Sequence, residues 1–221
     1  MAFISLLLLA IAGAVIQVGA IYNRGVTMKS VNQTGRIVVA DMKRIVGESQ
    51  PFDAVAAYKP HDHSQGAGGA PEYDGGRLCT GIYSYIWNIG KYIDSAVPAS
   101  QANKYAGSDS DKSLRLIRLR DSGGQYCKDG AAGAIQASDA TELLSDGNLA
   151  VQDFHIDRLT NNIATGMALY SIKIVISDAN QDAIDTLDNT CKPPIQGSTY
   201  QNFCAVNEFV FTARAGNKGG Q

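Results

Sequence analysis

AFISLLLLAIAGAVIQVGAIY, residues Ala2–Tyr22, decides how this chain is organised. The stretch is apolar except for Ser5, Gly13, Gln17 and Gly19, and no charge appears until Arg24. As a helix, its 21 residues would span about 31 Å, which matches the hydrocarbon core of a bilayer. A cleaved signal peptide has a basic start, a shorter apolar run and a small-residue cleavage motif. Here the basic start is missing and the run is too long, so the segment is expected to stay with the protein.

The helix should not stop at Tyr22. Val31, Val38, Met42 and Ile45 recur at intervals of three to seven residues, with Arg36, Asp41, Lys43 and Arg44 in the polar positions between them. That is an amphipathic helical period. Gly47 and Pro51 supply stop signals. One helix is expected from residue 2 to residue 47, apolar all round in its first half and striped in its second. Gly13 and Gly19 either loosen it, at about 1 kcal/mol each, or let helices approach closely.

The fold class expected is α+β: a helical segment over 1–50, a β-rich globular head over 51–215 and a mobile tail over 216–221. Charged residues make up 18%, below the usual ~25%, and 23 glycines favour a turn-rich β head over a helical enzyme. The 45% hydrophobic content excludes disorder. With a net charge of −2, the densest basic run is Arg115, Arg118 and Arg120, which reads as a solvated strand face. Nucleic-acid binding needs more clustered phosphate contacts than that, so no specific nucleic-acid partner is indicated.

Four cysteines, Cys79, Cys127, Cys191 and Cys204, form no C-x-x-C pair, and His61, His63 and His155 do not fall at zinc-finger spacing. An even number behind an apolar segment reads as two disulfides made in an oxidising compartment. Three pairings are possible. Cys79–Cys127 with Cys191–Cys204 is favoured because each joins neighbouring segments.

Within the head, His61–Gly76 reads as an exposed loop, and its His-Asp-His lacks a third metal ligand. Strands are expected over Thr80–Ile89, Ser113–Leu119, Gln125–Cys127, Leu149–Ile156, Met167–Val175 and Asn207–Arg214. Residues 139–146 read as a short helix or turn. His155 shows no base or nucleophile partner.

Asp178-x-Asn180-x-Asp182 resembles the opening of a calcium loop, with Asp185 and Asp188 nearby. Ala183 stands where an EF-hand has glycine, and Asn189 where it has a bidentate glutamate. Asp178, Asn180 and Asp182 are therefore only a calcium candidate of looser type, and no cofactor is otherwise expected. Asn32-Gln33-Thr34 is a formal glycosylation sequon placed on the helix. No G-x-S-x-G, P-loop, H-E-x-x-H or dinucleotide fingerprint occurs, so no enzyme is expected.

Three stretches together resemble the type IV pilin family, in particular its minor pilins and pseudopilins. They are MAFISLLLLAIAGAVIQ running on to VNQTGRIVVADMKRIVG, then ELLSDGNLAVQDFHID (Glu142–Asp157) with the strand Leu169–Ile176, and CKPPIQGSTYQNFCAVNEFVFTARA at the carboxy end. The resemblance implies a homo-oligomeric helical filament serving adhesion or motility. Subunits would wait in the inner membrane until the pilus assembly machinery extrudes them to the cell surface. It assigns core packing to Leu6, Leu7, Leu8, Leu9, Ile11, Val15 and Ile16. The family carries a Glu at its fifth mature position, whereas no acidic residue precedes Asp41 here. About ten mature residues and a leader are therefore expected upstream of Met1. The alternatives are a minor subunit of a secretion or DNA-uptake system, and a monomeric membrane-anchored extracytoplasmic binding module.

Overall fold

A computed structural model describes residues 2–63, 72–93, 103–110, 112–128, 135–144, 147–162, 166–185, 188–193 and 203–216. Helix α1 (Ala2–Glu48) is continuous over 47 residues, roughly 70 Å of rod at 1.5 Å per residue. It ends where Ser49 turns its N–H and hydroxyl back onto the Val46 carbonyl, at 3.2 and 2.8 Å. A single-turn helix, α2 (Ala54–Ala57), follows Pro51 and is capped by the Asp53 carboxylate on the Val55 N–H.

The head is antiparallel throughout its two main sheets. Strands β1 (Tyr58–His63), β2 (Glu72–Cys79), β3 (Tyr83–Asn88), β4 (Leu116–Arg120) and β5 (Ala140–Glu142) form a five-stranded meander in that order. β6 (Leu149–Asn162), β7 (Met167–Asp178) and β10 (Val206–Ala215) form a second sheet with β7 at its centre. Between them in sequence, β8 (Ile184–Asp185) and β9 (Thr190–Cys191) make a small hairpin. The architecture is α+β: a long amino-terminal helix and a β-sheet head.

The helical stripe is the seam of the molecule. Val31, Val38, Met42, Ile45 and Val46 are at most 2% exposed. They pack in one cluster with Ile172, Ile174, Phe211 and Ala213 of the second sheet and with Leu78, Tyr85 and Trp87 of the first. Trp87 stacks on Phe154 at 4.2 Å between ring centres, tying the sheets together. β3 is buried on both faces, because Ile86 joins a separate cluster with Leu114, Ile117 and Leu119. This explains why its sequence lacks clean alternation.

Several elements differ from expectation. Both ends of the glycine-rich segment His61–Gly76 are strand, in β1 and β2, paired His61 to Gly75 across a bulge. A Cβ on Gly76 would lie 2.4 Å from the Trp87 ring, and one on Gly75 would lie 2.3 Å from the Trp87 carbonyl. These glycines permit close approach rather than mark a loop. Gln125–Cys127 is a 3-10 turn, not a strand. The Asp121 carboxylate accepts the Gln125 and Tyr126 N–H groups at 2.9 and 3.2 Å and so holds it in that form. Within 139–146, a 3-10 turn ending at Asp139 leads into strand β5 rather than a helix. Strand β4 begins at Leu116, three residues later than expected, and β6 runs six residues further, to Asn162. Gly216 is anchored by its N–H to the Ser49 carbonyl at 2.9 Å, and the expected tail beyond it lies outside the described residues.

Candidate functional site: an uncovered apolar rod and its junction with the head

Among the described residues, the first half of α1 contributes no side chain to the buried core. Leu6, Leu7, Leu8, Leu9, Ile11, Val15 and Ile16 are between 49% and 77% exposed, and Phe3, Val18, Ile21 and Tyr22 are exposed with them. Covering a large aliphatic side chain is worth about 1.5–3 kcal/mol. Those first seven residues alone therefore represent on the order of 10–20 kcal/mol. That rivals or exceeds the ~5–15 kcal/mol that holds an ordinary domain folded. A rod of this kind does not persist in water. It requires lipid or other apolar helices, and by length and composition it can cross a membrane.

Gly13, Gly19 and Gly25 have open space where a Cβ would stand. Each lowers helix propensity without an intramolecular contact in return. Gly35 is different: a Cβ there would lie 2.1 Å from the Phe209 ring of β10. It lets the head seat directly on the helix backbone.

Three polar contacts lock the second half of α1 to the head. Asp41 receives Arg118 of β4, the Tyr85 hydroxyl of β3 at 3.0 Å and Arg44 of its own helix at 3.1 Å. The Arg118 guanidinium also lies over the Tyr83 ring, 5.4 Å from its centre. Arg118 is thus a junction residue rather than part of a solvated strand face, although Arg120 two residues on is exposed. Burial, reinforced by the Asp41 carboxylate, pushes the Tyr85 phenol well above its ordinary range, so it remains a donor. Asn207 donates to the Asn32 side-chain oxygen at 2.6 Å, so the sequon asparagine is engaged with the head. Sequence reading missed this junction. Its one visible signal was Asp41, the first carboxylate after forty residues without one.

The remaining polar candidates make local contacts. Asp178 accepts the Asn180 N–H at 2.8 Å and Asn180 accepts the Asp182 N–H at 3.1 Å, so the calcium candidate Asp178, Asn180 and Asp182 lies on a pair of side-chain-capped turns. Among the described residues no group of three His, Cys, Asp or Glu side chains is arranged to hold a metal. His155 has a partner after all, Asp157 at 3.1 Å on the same exposed strand face. Glu142 accepts N–H groups from Arg115, Leu116 and Leu144 at 2.9–3.3 Å. Burial nevertheless raises its proton affinity above the ordinary carboxylate range.

Disulfides join Cys79 to Cys127 and Cys191 to Cys204, with Cα atoms 6.1 and 5.9 Å apart. The first ties β2 to the Asp121-held turn, and the second ties β9 to the segment entering β10. Two disulfides fit an oxidising, extracytoplasmic setting for the head.

Beside the second disulfide lies a cleft of about 510 Å³. It is lined by Arg24 and Met28 of α1, by Asp188 and Thr190, and by Lys173 and Glu208 of the second sheet. Lys173 is held by Asp153 at 2.6 Å. Asn189 in this cleft has φ of 56°, the left-handed region that asparagine tolerates best among residues other than glycine. No family model, curated protein or solved structure matches the chain.

Proposed function

We propose that this chain is a structural subunit of a type IV pilus-like surface filament, assembled by packing its apolar helix against the same helix of other copies. One observation carries the reading. Among the described residues nothing buries the apolar segment, yet it continues without a break into a helix bolted to the head. A rod that only anchors a head to lipid needs no such rigid continuation. A rod that must place many heads at fixed spacing around a common axis does. The uncovered glycines Gly13, Gly19 and Gly25 add to this, because small residues let helices approach closely.

In this reading the work is assembly, not catalysis. The subunit waits in the membrane on Ala2–Tyr22, and extrusion exchanges lipid contacts for helix contacts. The disulfide-bearing heads then face outward for adhesion or motility. Leu8→Asp places a carboxylate in the middle of the packing surface, where an unpaired charge is strongly unfavourable. Electron microscopy of sheared fibres is expected to show none for this variant, while circular dichroism shows its head still folded. Filaments from Leu8→Asp, or a wild-type chain that cross-links only as a monomer, would overturn the proposal. The monomer result would favour an anchored binding module.

A further inference from the structure

Among the described residues, the surface of α1 opposite the buried stripe is exposed as well. Val26, Lys29, Gln33, Ile37 and Ala40 follow one another at three- or four-residue spacing, so they share one face of the helix. All are exposed, Ile37 by 57%. Arg36 borders the same face and is exposed too. Lys29 and Arg36 form no hydrogen bond or ion pair among the described residues.

Charge is divided unevenly between helix and head. Every charged residue of α1 before Asp41 is a cation, and the whole helix carries five cations against two carboxylates. Beyond Glu48 the chain carries 14 Lys or Arg against 19 Asp or Glu. The cleft beside the second disulfide repeats this sign. Its carboxylates are Asp153, Asp188 and Glu208, and its cations are Arg24 and Lys173; Lys173 is bonded to Asp153 and also lies within the field of Glu208, which leaves the carboxylates in excess. Asp188 uses one oxygen to accept the Thr190 N–H and hydroxyl at 3.1 and 2.6 Å, and Glu208 is exposed on β10.

Resting on the filament reading, we propose that the outward face of α1 over residues 26–40 docks on the head of a second copy, with Arg36 received by Glu208 and Lys29 by Asp188 or Glu208 at the cleft beside the second disulfide. Helices packed at 8–10 Å shut out water between them, and a Lys or Arg left there without a carboxylate is strongly unfavourable. A second copy supplies that carboxylate in the same repeat that packs the rods. The apolar core then sets how tightly copies bind, and the ionic contact sets where along its neighbour each copy stops.

Fibres of the full chain test this. Glu208→Arg and Arg36→Glu, each alone, are expected to cut sheared-fibre yield by at least about fivefold. The double variant is expected to recover yield to within about twofold of wild type, since reversing both charges restores attraction. Both side chains are exposed, so the melting temperature of each single variant should match wild type; a lowered one would show a folding role and overturn the proposal. Carbodiimide treatment of fibres made from mixed isotope-labelled and unlabelled subunits is expected to yield a Lys29–Glu208 or Lys29–Asp188 cross-link between copies. Normal fibres from both single variants, no rescue in the double, or cross-links confined to one copy would remove the docking and leave the filament reading standing. Absence of fibres from the wild-type chain would instead remove the filament reading, and the docking with it.

Discussion

Asp41 does more than any other polar side chain to make helix and head one body. Three donors from three elements converge on it, and both its own side chain and that of Arg118 are less than one-fifth exposed. Removing one member of such a group is worse than never having built it, because the partners remain desolvated. Asp41→Ala should lower stability by about 3 kcal/mol, since it strands Arg118 and the Tyr85 hydroxyl together. Tyr85→Phe removes a single donor and should lower it by only about 1 kcal/mol. Urea denaturation of the detergent-solubilised chain measures both. Equal effects would show that Arg118 finds other partners and that the junction is not organised around Asp41.

At the scale of elements, periodicity decided what was legible. The stripe Val31, Val38, Met42 and Ile45 repeats over four turns, so a single sequence reveals both the helix and the face it buries. The central strand Met167–Asp178 was legible for the same reason, since burial alternates along it as far as Ile174. The glycine-rich β2 was not. Gly75 and Gly76 carry no side chain to alternate, and the reason for their smallness is Trp87 on a neighbouring strand. Likewise the turn at Gln125–Cys127 depends on Asp121 reaching across its backbone, a contact that local propensity does not encode. Of the candidate site, the apolar rod was visible as composition, while the Asp41 junction required partners far apart in the chain. The helical face can be tested one side at a time. Met42→Ala, at a fully buried position, should cost about 2–5 kcal/mol. Ile37→Ala, five residues away and facing outward, should stay within about 0.5 kcal/mol. Comparable losses at the two sites would mean that α1 is rotated relative to the head from the orientation described.

For the whole molecule, the decisive property is that one chain joins two parts with opposite solvent requirements. The rod before Arg24 is almost wholly apolar and exposed, whereas the head, with the second half of α1 packed into it, has a buried core and is stapled twice. The Cys79–Cys127 staple removes loop entropy worth about 4 kcal/mol and Cys191–Cys204 about 3 kcal/mol from the unfolded chain. The stripe that completes the head's core starts at Val31, so the head draws no stability from residues 2–22. Deleting 2–22 should therefore give a water-soluble, monodisperse protein whose melting temperature lies within about 2 °C of the intact chain in mild detergent. The intact chain without detergent should instead sediment as large assemblies, because exposed apolar area on this scale finds a partner. If the shortened protein melts more than about 5 °C lower, the rod contributes to the head and must fold back upon it. A rod so engaged has no free surface to offer another copy, and assembly through it becomes untenable.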